Sequence, residues 1–136
     1  MTPKQFVLIE DTGDAYLVNA GDDTLPTLQS LVDGWIECAT ADRSTLGFEA
    51  DVWVNEEGLF RNDFGINLVA SFITGRQLVG PAVLARSSAQ GETLGLTLTH
   101  IYTLVNDGLM LNDNGGFGYS VEEIATLRSE REEVSA

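Results

Sequence analysis

Between Leu28 and Leu84 the sequence switches repeatedly between helical and extended periods, and a glycine or a polar cluster closes each segment. Leu25, Leu28, Leu31 and Val32 fall on one face of a helix. Asp22, Asp23 or Thr24 offers its N-cap, Pro26 suits its first turn, and Gly34 suits a left-handed stop. Trp35 to Thr40 then reads as a strand, with Ile36 and Cys38 on one side and Trp35 and Glu37 on the other. After a polar connection over 41–50, Asp51 to Asn55 alternates again, Val52 and Val54 on one face and Trp53 on the other. Asn55-Glu56-Glu57-Gly58 predicts a type I turn closed by a left-handed glycine, with Leu59-Phe60 starting a return strand. Asn67 caps a short helix from Leu68 to about Thr74, stopped by Gly75. Leu78 to Ala85 reads as a strand holding Gly80-Pro81. A proline there removes a ladder donor and predicts an edge or a bulge.

The flanks extend this pattern. Phe6-Val7-Leu8-Ile9 and Tyr16-Leu17-Val18, joined through Asp11-Thr12-Gly13-Asp14, predict a hairpin. Residues 94–105 carry two signals: Leu94, Leu96 and Leu98 alternate like a strand, whereas Leu98, Ile101, Tyr102 and Val105 follow helical spacing. A helix from Leu98, capped by Thr97, is the favoured reading. Residues 106–118 are rich in Asn, Asp and Gly and form a long loop, or a hairpin with Leu109-Met110-Leu111 as a short strand. Ser120 caps a last helix, with Glu122 and Glu123 in its first turn and Arg128 near its end. The sum is one α+β domain over residues 1–128, with a charged, frayed tail at 129–136. The expected architecture is a mostly antiparallel sheet of four to six strands, helices packed on one face, and a C-terminal helix.

Charge is the extreme property of this chain. The formal net charge is -14. Residues 1–63 carry thirteen acids against Lys4, Arg43 and Arg61, while residues 92–136 carry eight against Arg128 and Arg131. The segment 64–91 has no acid and two arginines, Arg76 and Arg86. Such a surface repels a phosphate backbone, so direct nucleic-acid binding is not expected, and it attracts a basic protein. Solubility alone is the plainer reading of the same charge. No apolar run approaches the roughly 20 residues of a membrane span, and the N-terminus does not read as a secretory signal. The single cysteine, Cys38, fits a reducing compartment.

The order Leu28, Gln29, Val32, Gly34, Ile36, Glu37, then Val54 to Gly58, then Asn67 and Ala70, then Gly80 resembles a family of small uncharacterised proteins of bacteriophages, plasmids and other mobile elements. The likeness spans roughly the first 85 to 105 residues. It implies a mobile-element origin and a bacterial cytoplasm, and it implies no reaction.

Side chains that could carry chemistry each have a plain structural alternative. Glu56 and Glu57 beside Asn55 supply too few oxygens for calcium and read equally as a solvated turn. Asn112-Asp113-Asn114-Gly115-Gly116 misses the spacing of a calcium loop, and Gly115-Gly116-Phe117-Gly118 lacks the Lys-Ser/Thr of a phosphate loop. Cys38, sharing a side with Ile36, is expected to be a buried, inert thiol, and His100 to face solvent or a rim. Trp35 and Trp53, if their strands are neighbours, share one face that is either covered or offered to a partner. Arg76 and Arg86 are candidates for an anion such as a nucleotide phosphate. No catalytic set, metal set or cofactor is expected.

Three functions follow, in order. The first is a non-enzymatic acidic interaction protein that binds a basic host factor, as a counter-defence inhibitor or nucleic-acid mimic. The second is a binder of a nucleotide or signalling ligand. The third is a small hydrolase. The candidate binding residues are Trp35, Trp53, Glu56, Glu57, Arg76 and Arg86, and short edge strands make a homodimer plausible.

Overall fold

The computed structural model describes residues 3–41 and 43–135. The strands are β1 (Gln5–Ile9), β2 (Ala15–Asn19), β3 (Ile36–Thr40), β4 (Asp51–Asn55), β5 (Ala82–Ser87), β6 (Thr93–Leu94) and β7 (Leu111–Asn112). The helices are α1 (Thr24–Val32), α2 (Arg43–Leu46), α3 (Leu68–Thr74), α4 (Leu98–Asn106) and α5 (Val121–Ser135), with a 3-10 turn at Gly58–Phe60. The strands form one seven-stranded sheet in the order β3-β4-β5-β1-β2-β7, and β6 pairs with β5. All pairings are antiparallel except that of β2 with β7. The expected α+β class, the mostly antiparallel sheet and the C-terminal helix are all present.

Helices cover both faces of the sheet, not one. Val7, Ile9, Leu17, Val52 and Leu84 pack with Ala70 and Ile73 of α3 and Ile101 and Leu104 of α4. Phe6, Leu8, Val18 and Val83 pack with Leu28, Leu31 and Val32 of α1 and Ile124 of α5. The reason lies in the two central strands. Phe6 to Ile9 and Ala82 to Ala85 are unbroken apolar runs, wholly buried, and a strand without alternation has two faces to cover.

Local signals set most element ends. Asn67 caps α3 through its Oδ1 to the Ala70 N–H, and Gly75 closes it at φ 71. The 94–105 segment divides: Thr93–Leu94 joins the sheet, and Thr97 caps α4 in a reciprocal box with His100. His100 is half-buried against Phe48, with ring centroids 4.5 Å apart. Desolvation, then the Arg86 charge, lowers its pKa below the ordinary histidine value. Ser120 and Glu123 form the matching box on α5, and α5 continues through 129–135 as helix. No helix among the described residues is long and apolar enough to cross a membrane.

Three local expectations give way. Pro81 is not inside a strand, because β5 begins at Ala82 and occupies the centre of the sheet, where a missing N–H would break a ladder. Gly80 instead turns the chain at φ +75 beneath the Phe64 ring. Leu59-Phe60 starts no return strand but lies in the 3-10 turn. The left-handed residue ending α1 is Asp33 at φ 60, and Gly34 follows it for a reason of packing given below.

Candidate functional site

Buried Asn55, at the end of β4, organises one corner of the molecule. Its Nδ2 donates to the Val32 and Asp33 carbonyls at 3.1 and 3.0 Å, the open end of α1. Its Oδ1 accepts the Glu57 N–H at 2.8 Å and so makes the turn. The side chain thereby does the work expected of a left-handed glycine at position 58. Arg61 adds a second tie: its Nη1 donates to the Asp33 carbonyl at 3.2 Å and its Nη2 reaches Asp33 Oδ2 at 2.9 Å. Its other carboxylate partner is Asp63, at 2.6 Å, and its guanidinium lies 4.2 Å over the Phe64 ring. The hydrogen bonds to Asp63, then to Asp33, raise the Arg61 pKa, and the same bond lowers that of Asp63 below the usual carboxylate value.

Gly34 is required by this arrangement. A Cβ there would lie 2.6 Å from Asn55 Nδ2, and φ is +155. Gly34→Ala is therefore expected to push Asn55 off its carbonyls and cost about 2–3 kcal/mol, read as a lower urea midpoint. A loss under about 1 kcal/mol would show that Asn55 moves aside without penalty.

On this fixed backbone sit side chains that the core does not need. Trp35 is 67% exposed, Leu59 73% and Phe60 90%. The Trp35 carbonyl accepts the Glu56 N–H at 2.9 Å, and the Phe60 N–H donates to the Glu57 carbonyl at 2.9 Å, so the backbone carrying Trp35 and Phe60 adjoins that of the two glutamates. Glu37 and Arg76 complete the rim at a 3.9 Å separation, both half exposed, and with Glu56 and Leu59 they line one small depression. Of the six predicted residues, Glu56 and Arg76 line this depression together, Trp35 adjoins Glu56 through its backbone bond, and Glu57 follows Glu56 in the turn.

The other two lie elsewhere. In the β3–β4 register Cys38 faces Trp53 and Ile36 faces Asn55. Opposed residues share a side, so Trp53 sits with Ile36 and Cys38, away from Trp35, and the pair of indoles does not form. Arg86 donates through Nε to the Gly95 carbonyl at 2.9 Å, which holds the β5–β6 connection. Cys38 is exposed rather than buried, because β3 is an edge strand. Desolvation, then the Asp51 charge, still raises its thiol pKa, which keeps it protonated and weakly nucleophilic. Among the described residues no group of three or more His, Cys, Asp or Glu gathers to hold a metal ion.

One constellation has no counterpart in the sequence reading. Glu10, 4% exposed, directly follows β1. Arg128 of α5 grips it with two bonds, Nε to Oε2 at 2.9 Å and Nη2 to Oε1 at 2.8 Å, and Arg131 adds a contact at 3.3 Å. Arg128 Nη2 also donates to the Leu31 carbonyl at 2.7 Å. These groups floor a cleft of about 460 Å³. The available signal was an acid directly continuing a fully apolar strand.

The family described as Domain of unknown function (DUF3846) matches residues 2–115. No curated protein matches the chain. A solved structure, that of the small RNA methyltransferase HEN1, is similar over 75% of this chain and 15% of that one, at 16% identity and a TM-score of 0.48. This chain spans only that small share of the methyltransferase, and a likeness of that grade carries no argument.

Proposed function

We propose that this chain, which belongs to the DUF3846 family, is a non-enzymatic binding protein whose β3–β4 corner docks a protein with a basic surface. The observation that supports this most is the exposure of Trp35, Leu59 and Phe60 on a pinned backbone, close in the chain to Glu37, Glu56 and Glu57. Aromatic anchors supply binding energy, and a carboxylate frame supplies steering and choice of partner. A backbone already held by Asn55 and Arg61 has little freedom left to lose on association. The remaining surface reinforces the sign. Arg61, Arg76, Arg128 and Arg131 turn their charge onto carboxylates of their own chain, within a net charge of -14.

In the bacteriophage or plasmid setting that the sequence resemblance implies, the partner is a host protein in the bacterial cytoplasm. A defence factor that otherwise grips nucleic acid fits this surface, the carboxylates standing where phosphates would. Host lysate passed over the immobilised protein tests the reading, with Trp35→Ser and the double variant Glu56→Lys/Glu57→Lys alongside. The expected result is one basic protein held at low salt, released at high salt, and bound about 30-fold more weakly by each variant. Capture that survives both variants overturns the proposal, as does capture of nothing but a second copy of this chain. A nucleotide released from the heat-denatured bait would instead support the ligand-binding reading through Arg76 or Arg86.

A further inference from the structure

The β3–β4 ladder fixes which backbone groups of the edge strand are open. The Trp35 carbonyl accepts the Glu56 N–H, and the Ala41 N–H donates to the Ala50 carbonyl. These two pairs bracket a register that runs from Ile36 opposite Asn55 to Thr40 opposite Asp51. Bonded and unbonded pairs alternate in an antiparallel ladder. Glu37 and Ala39 therefore bond to β4, while Ile36, Cys38 and Thr40 aim their N–H and C=O groups outward. No hydrogen bond among the described residues meets those outward groups, because β3 ends the sheet. Glu37, Cys38 and Thr40 are exposed. Natural sheets usually blunt such an edge with a proline, a bulge or a charge. Residues 35–41 hold no proline, and the register is continuous, without a bulge. The guard on β3 is a charge, Glu37, which turns away an acidic strand and admits a basic one. The opposite end of the sheet, β7, is two residues long and offers far less ladder.

We propose that the open edge of β3 accepts an extended, lysine- or arginine-bearing segment of a partner protein as an added strand. The partner is the basic protein of the reading above, on which this mode of docking rests. The backbone of Ile36, Cys38 and Thr40 supplies the ladder, and carboxylates choose the segment. Glu37 lies on the strand itself, and Asp51 stands opposite Thr40. Desolvation first, then the Asp51 and Glu37 charges, raise the Cys38 thiol pKa, so the negative field reaches the middle of the edge. Arg76 is 3.9 Å from Glu37, beyond hydrogen-bond distance, and leaves that carboxylate half exposed. A second copy would bring a further charge of -14 to the same edge, and that repulsion decides against it as the occupant.

A short peptide alternating valine and lysine tests this on the intact protein. Its controls are the same peptide with every backbone amide N-methylated and a counterpart alternating valine and glutamate. The readout is amide hydrogen exchange followed residue by residue. With the basic peptide about nine-tenths bound, exchange at Ile36, Cys38 and Thr40 is expected to slow about tenfold, since the free tenth alone exchanges. The Glu37 and Ala39 amides, already bonded to β4, are expected to stay unchanged. The methylated peptide keeps the charge and loses the donors. It is expected to bind about tenfold more weakly and to protect none of the three, as is the acidic peptide. Cys38→Pro removes an outward donor and no bond to β4, and is expected to weaken the basic peptide by a similar factor. Circular dichroism reports whether that variant folds, and the methylated peptide decides the question if it does not. Equal binding of the methylated and unmodified peptides, equal binding of the basic and acidic ones, or no protection of the three amides overturns the proposal. It does so even if a basic host protein is captured from lysate. Protection of the three amides that grows with protein concentration, without peptide, assigns the edge to a second copy and also overturns it. Protection by the basic peptide supports the edge site even where the lysate yields no partner.

Discussion

Asn67→Asp, a change of one atom, is expected to destabilise the protein by about 4 kcal/mol at neutral pH, a large part of a typical domain's stability. Asn67 is 1% exposed. Its Oδ1 accepts the Ala70 N–H at 3.0 Å, and its Nδ2 donates to the Ile9 carbonyl at 2.9 Å and the Gly80 carbonyl at 2.8 Å. One amide thus holds the end of β1, the start of α3 and the turn before β5. Aspartate keeps the helix cap and reverses the other two contacts, placing a charged oxygen against two buried carbonyls. Asn67→Ala loses the cap and leaves both carbonyls unmet, for about 3 kcal/mol. The two variants separate on acidification. A buried aspartate facing acceptors has a folded pKa above its unfolded value, so its deficit shrinks as pH falls through the folded pKa, while that of the alanine variant does not. Urea denaturation at two pH values measures both, and an aspartate variant of near wild-type stability would rule out the three-way bond.

Removing Arg128 is the second large effect. Arg128→Ala leaves Glu10 buried, with Arg131 at 3.3 Å as its remaining cation, and strips the Leu31 carbonyl of its donor. A broken buried pair costs roughly 3–5 kcal/mol, and the surviving Arg131 contact places this one near 3 kcal/mol. Arg128→Lys keeps the charge and loses the fork, so it recovers part of the loss. The double variant Glu10→Gln/Arg128→Met is expected to be more stable than Arg128→Ala, because no unpaired charge remains inside. The order of the three urea midpoints checks the account. Were Glu10→Gln alone to stabilise the protein, the pair would be a burden rather than a support.

These two sites also mark where the sequence was legible. Asn67 and Gly75 stand at the two ends of α3, and capping chemistry is local, so both ends can be read directly. The same holds for Thr97 and Ser120. The second role of Asn67, toward Ile9 and Gly80, joins residues 58 and 13 positions away, which no local pattern encodes. Glu10 and Arg128 are 118 positions apart. An acid after an apolar run reads as the first residue of a turn, and only burial shows that it is an anchor. At the candidate site, Trp35 and Glu56 adjoin because the paired ends of β3 and β4 bring their backbones together, and Arg76 meets Glu56 in one depression. Trp53 was misplaced because a one-residue offset in strand register moves a side chain to the other face.

The strand order has a consequence for synthesis. β1–β2 and β3–β4 are hairpins of near neighbours in sequence, yet neither touches the other, and β5 lies between β4 and β1. A chain still on the ribosome before Ala82 therefore carries two half-sheets, each with an open apolar edge. Those edges can pair with another nascent copy as readily as they wait for their own seam. Ribosomes crowded on one message would favour such mispairing, and a pause in translation once β5 has emerged from the ribosome would give the seam time to close.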